Sequence, residues 1–221
     1  MKRWTLLIVF LCTFCTQNES SAPSDNETRL SDAVYFDLLQ QATNHLQSGK
    51  LKEAEQTLIK AETIAPRLPM AYYMRGILYY NQKDPESAGS YFMKALFRCT
   101  QDELPGLITD LDSLTSLPLS EEENRLIRKA ENSSPESAIE HLTGALSLNG
   151  MNVLSHYLIG RAYRSLDKTK KAAYHFERAV LIHPAHRKSL TALTNIYENN
   201  GRMDKYTATL EKRMRFYGTS S

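Results

Sequence analysis

The 221-residue sequence is poor in the residues that usually advertise chemistry or flexibility. It has three cysteines, and two of them, Cys12 and Cys15, fall in the first fifteen residues. Cys99 would then stand alone in the mature chain, so the fold is not stapled by disulfides. Glycine (9) and proline (8) are sparse, which leaves little room for long flexible or polyproline segments. The glycines are isolated, so no phosphate-cradling loop is present, and neither a Gly-x-Ser-x-Gly elbow nor a His-Glu-x-x-His helix occurs. Strong charge of one sign is missing too. Without Lys2 and Arg3 the chain carries 25 basic and 25 acidic side chains. That balance excludes nucleic-acid binding of the kind that rests on neutralising many phosphates.

The balance conceals a segregation. Residues 16–160 hold 12 Lys/Arg and 20 Asp/Glu, whereas residues 161–221 hold 13 and 5. Either these are solvated faces of opposite sign, or the basic end meets an acidic partner, anionic lipid headgroups, or the acidic end of another copy.

The longest apolar run is Trp4 to Cys15, twelve residues behind the cationic start Met1-Lys2-Arg3. It is too short to cross about 30 Å of hydrocarbon as a helix. It suits the hydrophobic region of a secretory signal, and residues 16–33 read as a polar, disordered linker behind it. The expected location is therefore outside the cytoplasm, in a bacterial cell envelope, either facing the periplasm or secreted. A cysteine closing a short signal resembles a bacterial lipoprotein. That resemblance implies lipidation of Cys15 and membrane anchoring, although Phe14 stands where a small residue is usual. Ordinary cleavage nearby is the alternative.

The rest of the chain repeats itself. Tyr72, Gly76, Tyr79, Ala88, Phe92 and Ala95 share their internal spacing with His156, Gly160, Tyr163, Ala172, Phe176 and Ala179, and Pro184 closes the second set. A step of 34 residues brings in Leu190, Thr194 and Tyr197, and steps backwards bring in Ala138, Leu142 and Ala145, or Leu38, Ala42, His45, Ala54, Leu58, Ala61 and Pro66. Each unit reads as two amphipathic helices, with apolar residues three and four apart. Gly76 and Gly160 cost about 1 kcal/mol each relative to Ala inside a helix, so their positions imply close packing. Turn signals separate the helices at Ser48-Gly49-Lys50, Lys83-Asp84-Pro85, Ser133-Ser134-Pro135 and Asn199-Asn200-Gly201.

This pattern resembles the tetratricopeptide repeat. The resemblance implies an all-α fold, a right-handed α-solenoid of helix-turn-helix units. Two units cover 35–102 and three cover 119–221, of which 119–152 and 187–221 are degenerate. Residues 103–118 break the period. Leu104, Leu107, Ile108, Leu111 and Leu114 make them an extra amphipathic helix, either packed on the array or offered to a partner.

The resemblance further implies a non-enzymatic scaffold whose first helices line a concave groove for a protein or peptide partner. The groove stripe falls on Leu39, Thr43 and Leu46, then Tyr73, Ile77 and Tyr80. It continues through Glu123, Ile127 and Ala130, then Tyr157, Arg161 and Arg164, and ends on Thr191, Asn195 and Glu198. The expected contact residues are Leu39, Tyr73, Ile77, Tyr80, Tyr157, Arg161, Arg164 and Asn195. Tyr and Arg are the types that most often carry interface energy. The rival reading is a structural protein whose acidic and basic regions join copies by self-association. No cofactor is implied. His175, His183 and His186 are read as solvated loop histidines rather than a metal site, and Cys99 as an inert thiol.

Overall fold

Schellman-type turns set the architecture. Lys50 N–H bonds to His45 O and Gly49 N–H to Leu46 O, and the same two bonds recur at 83–84, 167–168 and 201–202. The turn residue has positive φ each time: Gly49 (72°), Lys83 (62°), Asp167 (55°) and Gly201 (63°). In the computed structural model, which describes residues 26–218, these turns join helices into antiparallel pairs.

The described residues form eleven helices. The pairs are α1 (Asn26–Gln47) with α2 (Leu51–Ile64), α3 (Met70–Asn81) with α4 (Pro85–Leu96), α6 (Glu121–Glu131) with α7 (Pro135–Leu148), α8 (Val153–Ser165) with α9 (Thr169–Ile182), and α10 (Arg187–Asn199) with α11 (Met203–Tyr217). The odd helix is α5 (Leu104–Ser116), which lies within the inserted segment. Helix starts follow local chemistry. Asp84, Ser120, Ser134 and Asn152 each accept the N–H of the residue three places on, and Pro85 and Pro135 occupy first helical positions. Residues 26–33, read from their polarity as disordered linker, are instead the first turns of α1. Asp32 fastens this extension by taking a 2.6 Å ion pair from Arg67.

The repeat glycines are explained by aromatic packing. A Cβ on Gly76 would stand 2.4 Å from the Phe92 ring, and one on Gly160 would stand 2.6 Å from Phe176. Each phenylalanine therefore lies across the first helix of its own pair, fully buried, with Ala88 or Ala172 buried one turn before it. Successive pairs stack through α2 on α3, α7 on α8 and α9 on α10, which makes the fold an α-solenoid.

The stacking changes partner after α4. That helix packs against α9, and α5 packs against α8. The α4–α9 approach depends on Gly89, because a Cβ there would fall 1.8 Å from the carbonyl oxygen of Leu181. Around this crossing, Leu107, Ile108 and Leu111 of α5 join one buried cluster with Tyr73, Ile77, Tyr80, Met151, Val153, Ile182 and Phe216. The N-terminal two pairs thus share a core with the fourth and fifth, whereas α6 and α7 pack in a separate cluster with α8.

Candidate functional site

The N-terminal half of the expected groove is closed. Leu39, Tyr73, Ile77 and Tyr80 are buried, as are Thr43 and Leu46. Tyr73 retains 6% of its surface and Tyr80 2%. The α3 stripe shares its buried cluster with the leucines and isoleucine of α5 and meets the segment entering α8, where the Tyr80 hydroxyl donates to Met151 O at 3.2 Å, while Leu39 and Leu46 of α1 are buried in that same cluster. These four side chains belong to the core and do not line an open surface. Asp110 of α5 lies near enough to Tyr73 to raise its pKa further, and burial pushes its own carboxyl up to about 7.

The third pair is closed at its start for another reason. Glu123 lies on the stripe, yet it is fully buried. One carboxylate oxygen accepts Asn149 Nδ2 at 3.0 Å and Asn152 Nδ2 at 2.9 Å, and the other accepts Leu119 N–H at 2.6 Å. Its own N–H donates to Ser120 Oγ, so Ser-x-x-Glu caps α6 in the manner of a capping box. Glu123 thereby ties α6 to the turn that leads into α8. Its neighbours Ile127 and Ala130 pack inward.

The open part of the stripe lies on α8 and α10. Arg161, Arg164 and Asn195 are exposed, and Tyr157 is half-buried. Tyr157 packs on Phe176 (5.9 Å between centroids) and edge-on against His186 (5.5 Å). Two cations flank its ring, Arg161 at 5.9 Å and Lys188 at 5.8 Å from the centroid. Lys188, in the first turn of α10, was not among the expected contact residues. It falls on the same repeat stripe one turn before Thr191, which is the signal that would have found it. Arg161 also stands on the rim of an open cleft of about 370 Å³ between α6, α7 and α8, with Ala130, Ala138, Leu142, Leu158 and Ala162 on its walls.

His183 and His186, read as solvated, are buried, and His175 is half-buried within α9. His183 is fully buried. Its Nδ1 accepts the Ala185 N–H at 3.2 Å, so Nε2 carries the proton and donates to Asp112 of α5 at 3.0 Å. Burial resists ionisation of Asp112, but that hydrogen bond and the field of His183, His186 and Lys188 outweigh it and hold the carboxyl below its ordinary range. His186 Nδ1 meets Ser189 Oγ at 2.8 Å, and His156 Nδ1 meets His175 Nδ1 at 3.3 Å. Burial pushes His156, His175 and His186 each down to about 4. Among the described residues no group of three or more His, Cys, Asp and Glu side chains is placed to hold a metal ion, and no helix is long and apolar enough to cross a membrane. Burial pushes the half-buried Cys99 thiol up to about 12, well away from a reactive thiolate. Cys15 and the apolar leader lie outside the described residues.

Two family models, both described as tetratricopeptide repeat, match residues 39–103 and 154–186. The chain carries tetratricopeptide repeats. The matches fall on the first two helix pairs and on the fourth; the Gly–Phe packing is present in the second and fourth of these. Solved structures similar to this tetratricopeptide-repeat protein include PilF of Pseudomonas aeruginosa, 17% identical over 86% of this chain and 95% of that one, with a TM-score of 0.39. YrrB, described as a TPR protein with an unusual peptide-binding site, is 18% identical over 89% and 95%, with a TM-score of 0.36. PilW, described as a widely conserved type IV pilus biogenesis factor, is 15% identical over 85% and 96%, with a TM-score of 0.39. No curated protein matches the sequence. Tetratricopeptide repeats are generally non-catalytic, and this chain is a protein-interaction scaffold.

Proposed function

We propose that the protein is an adaptor of the cell envelope, exported by its N-terminal segment and anchored by lipid at Cys15, that holds a protein partner on the face of α8 and α10. One observation carries the docking part. The stripe that is covered in the N-terminal pairs is open at Tyr157, Arg161, Arg164 and Asn195. The envelope part rests on the cationic start and the twelve-residue apolar run that ends in Cys15.

A photo-crosslinking residue placed at Arg164 should capture the partner in cells, whereas the same residue at exposed Ile59 of α2 should not. Equal capture from both positions would remove the face from the argument. Mass spectrometry of the mature N-terminus tests the envelope part. A diacylated Cys15 agrees with it, and an intact Met1 in a cytoplasmic fraction ends it.

Self-association through charge has a weaker claim. The acidic and basic regions already meet inside one chain, where Arg178 of α9 reaches Glu86 of α4 at 3.4 Å and His183 holds Asp112.

A further inference from the structure

We propose that the face formed by Tyr157, Arg161, Arg164 and Lys188 takes an acidic peptide segment of the partner protein. This rests on the reading that the partner docks on α8 and α10, and it adds the partner's chemistry. Four observations lead there.

First, the cations are unpaired. Arg161, Arg164 and Lys188 have no ion pair among the described residues, although Arg75, Arg125, Arg178 and Lys205 all find carboxylates. Second, they are ordered. Tyr157, Arg161 and Arg164 follow at i, i+4 and i+7 on α8, and Lys188 closes the line from α10 across the Tyr157 ring. Third, the chain itself places a carboxylate at one end of this line. Asp112, half-exposed on α5, docks on His183 and feels Lys188. An acidic segment laid along α8 continues the same arrangement. Fourth, the cleft beside Arg161 has an apolar side made by Ala138, Leu142, Leu158 and Ala162 next to polar groups that include Glu131, Ser133 and Ser165, so a carboxylate on Arg161 and an apolar neighbour against the leucines can be satisfied together. Guanidinium groups favour such contacts because they hold carboxylates through paired hydrogen bonds.

A random-octapeptide array probed with the full chain tests the assignment. Bound peptides are expected to be enriched in Asp and Glu over the library, with an apolar residue near the acids. The double variant Arg161→Glu and Arg164→Glu, checked for an unchanged far-UV circular dichroism spectrum, should bind those acidic peptides about tenfold more weakly and turn the enrichment toward Lys and Arg. Raising the salt should weaken wild-type binding, because these charges are exposed. Enrichment without acids, or acidic enrichment that survives the double variant, overturns the proposal. The exposed position Asn195→Trp separates it from the docking reading. If that bulky ring blocks non-acidic peptides, the face stands and only the acidic assignment falls. If neither variant alters binding, both fall. Sedimentation with phosphatidylglycerol vesicles that depends on Arg161 and Arg164, with no acidic enrichment on the array, would assign the face to a membrane surface and overturn the peptide assignment.

Discussion

Single residues divide into those that obey the repeat and those that bend it. Lys83 and Asp167 occupy the turn position that Gly49 and Gly201 fill elsewhere, at φ values of 62° and 55°. A Cβ in the left-handed region costs about 1 kcal/mol, so Lys83→Gly should raise stability by about 0.5–1 kcal/mol in urea denaturation. Asp167→Gly should gain less, because aspartate tolerates that conformation better. Glu123 shows the opposite case. Its carboxylate collects three N–H donors in a fully buried place. Glu123→Ala strands all three, and a loss of about 3 kcal/mol is expected from the same measurement. In the sequence Glu123 was legible as a member of the groove stripe. Its partners Asn149 and Asn152 lie more than twenty residues away, beyond any local signal.

At the level of helices, the period foretold pairs and nearest-neighbour stacking, because those contacts recur every 34 residues and leave a recurring residue choice. Gly76 and Gly160 are visible in this way, each facing its own phenylalanine. Gly89 is not, since the contact it serves, α4 on α9, occurs once. Gly89→Ala would drive a methyl into the Leu181 carbonyl, and backbone cannot rotate aside as a side chain can. A destabilisation of about 3 kcal/mol is expected, whereas Gly106→Ala in α5, with open space around it, should be neutral or slightly stabilising. Comparing urea midpoints of the two variants decides whether α4–α9 docking is a rigid joint. The inserted helix was legible as amphipathic, but its destination was not. Leucines at helical spacing show that a face must be covered without naming the surface that covers it.

For the whole molecule, acid should loosen the fold. His156, His175 and His186 have folded pKa values near 4 against an ordinary 6.5, so the unfolded chain binds more protons between those values. Stability is fully present above about pH 6.5 and falls as pH drops toward 4. Asp110 works the other way. Its raised pKa, about 7 against 3.8, makes folding take up a proton over the same range. Three histidines outweigh one carboxyl, so net stability should fall from pH 7 to pH 5, as read by urea denaturation at each pH. Asp110→Asn should steepen the loss, and His175→Asn should flatten it. A fold indifferent to pH across this window would show that the histidines are not buried as described.

The sequence by itself determined the paired helices, their turns, the glycine–phenylalanine contacts and the family, because each is written in residues close along the chain and repeated at a fixed step. Only the tertiary structure decided which part of the binding stripe is open. Closing the N-terminal groove required α5 to fold against α4 and α8, and α4 to meet α9. Those long-range contacts are made once, by apolar side chains that could bury themselves on many surfaces, so no pattern in the sequence announces them.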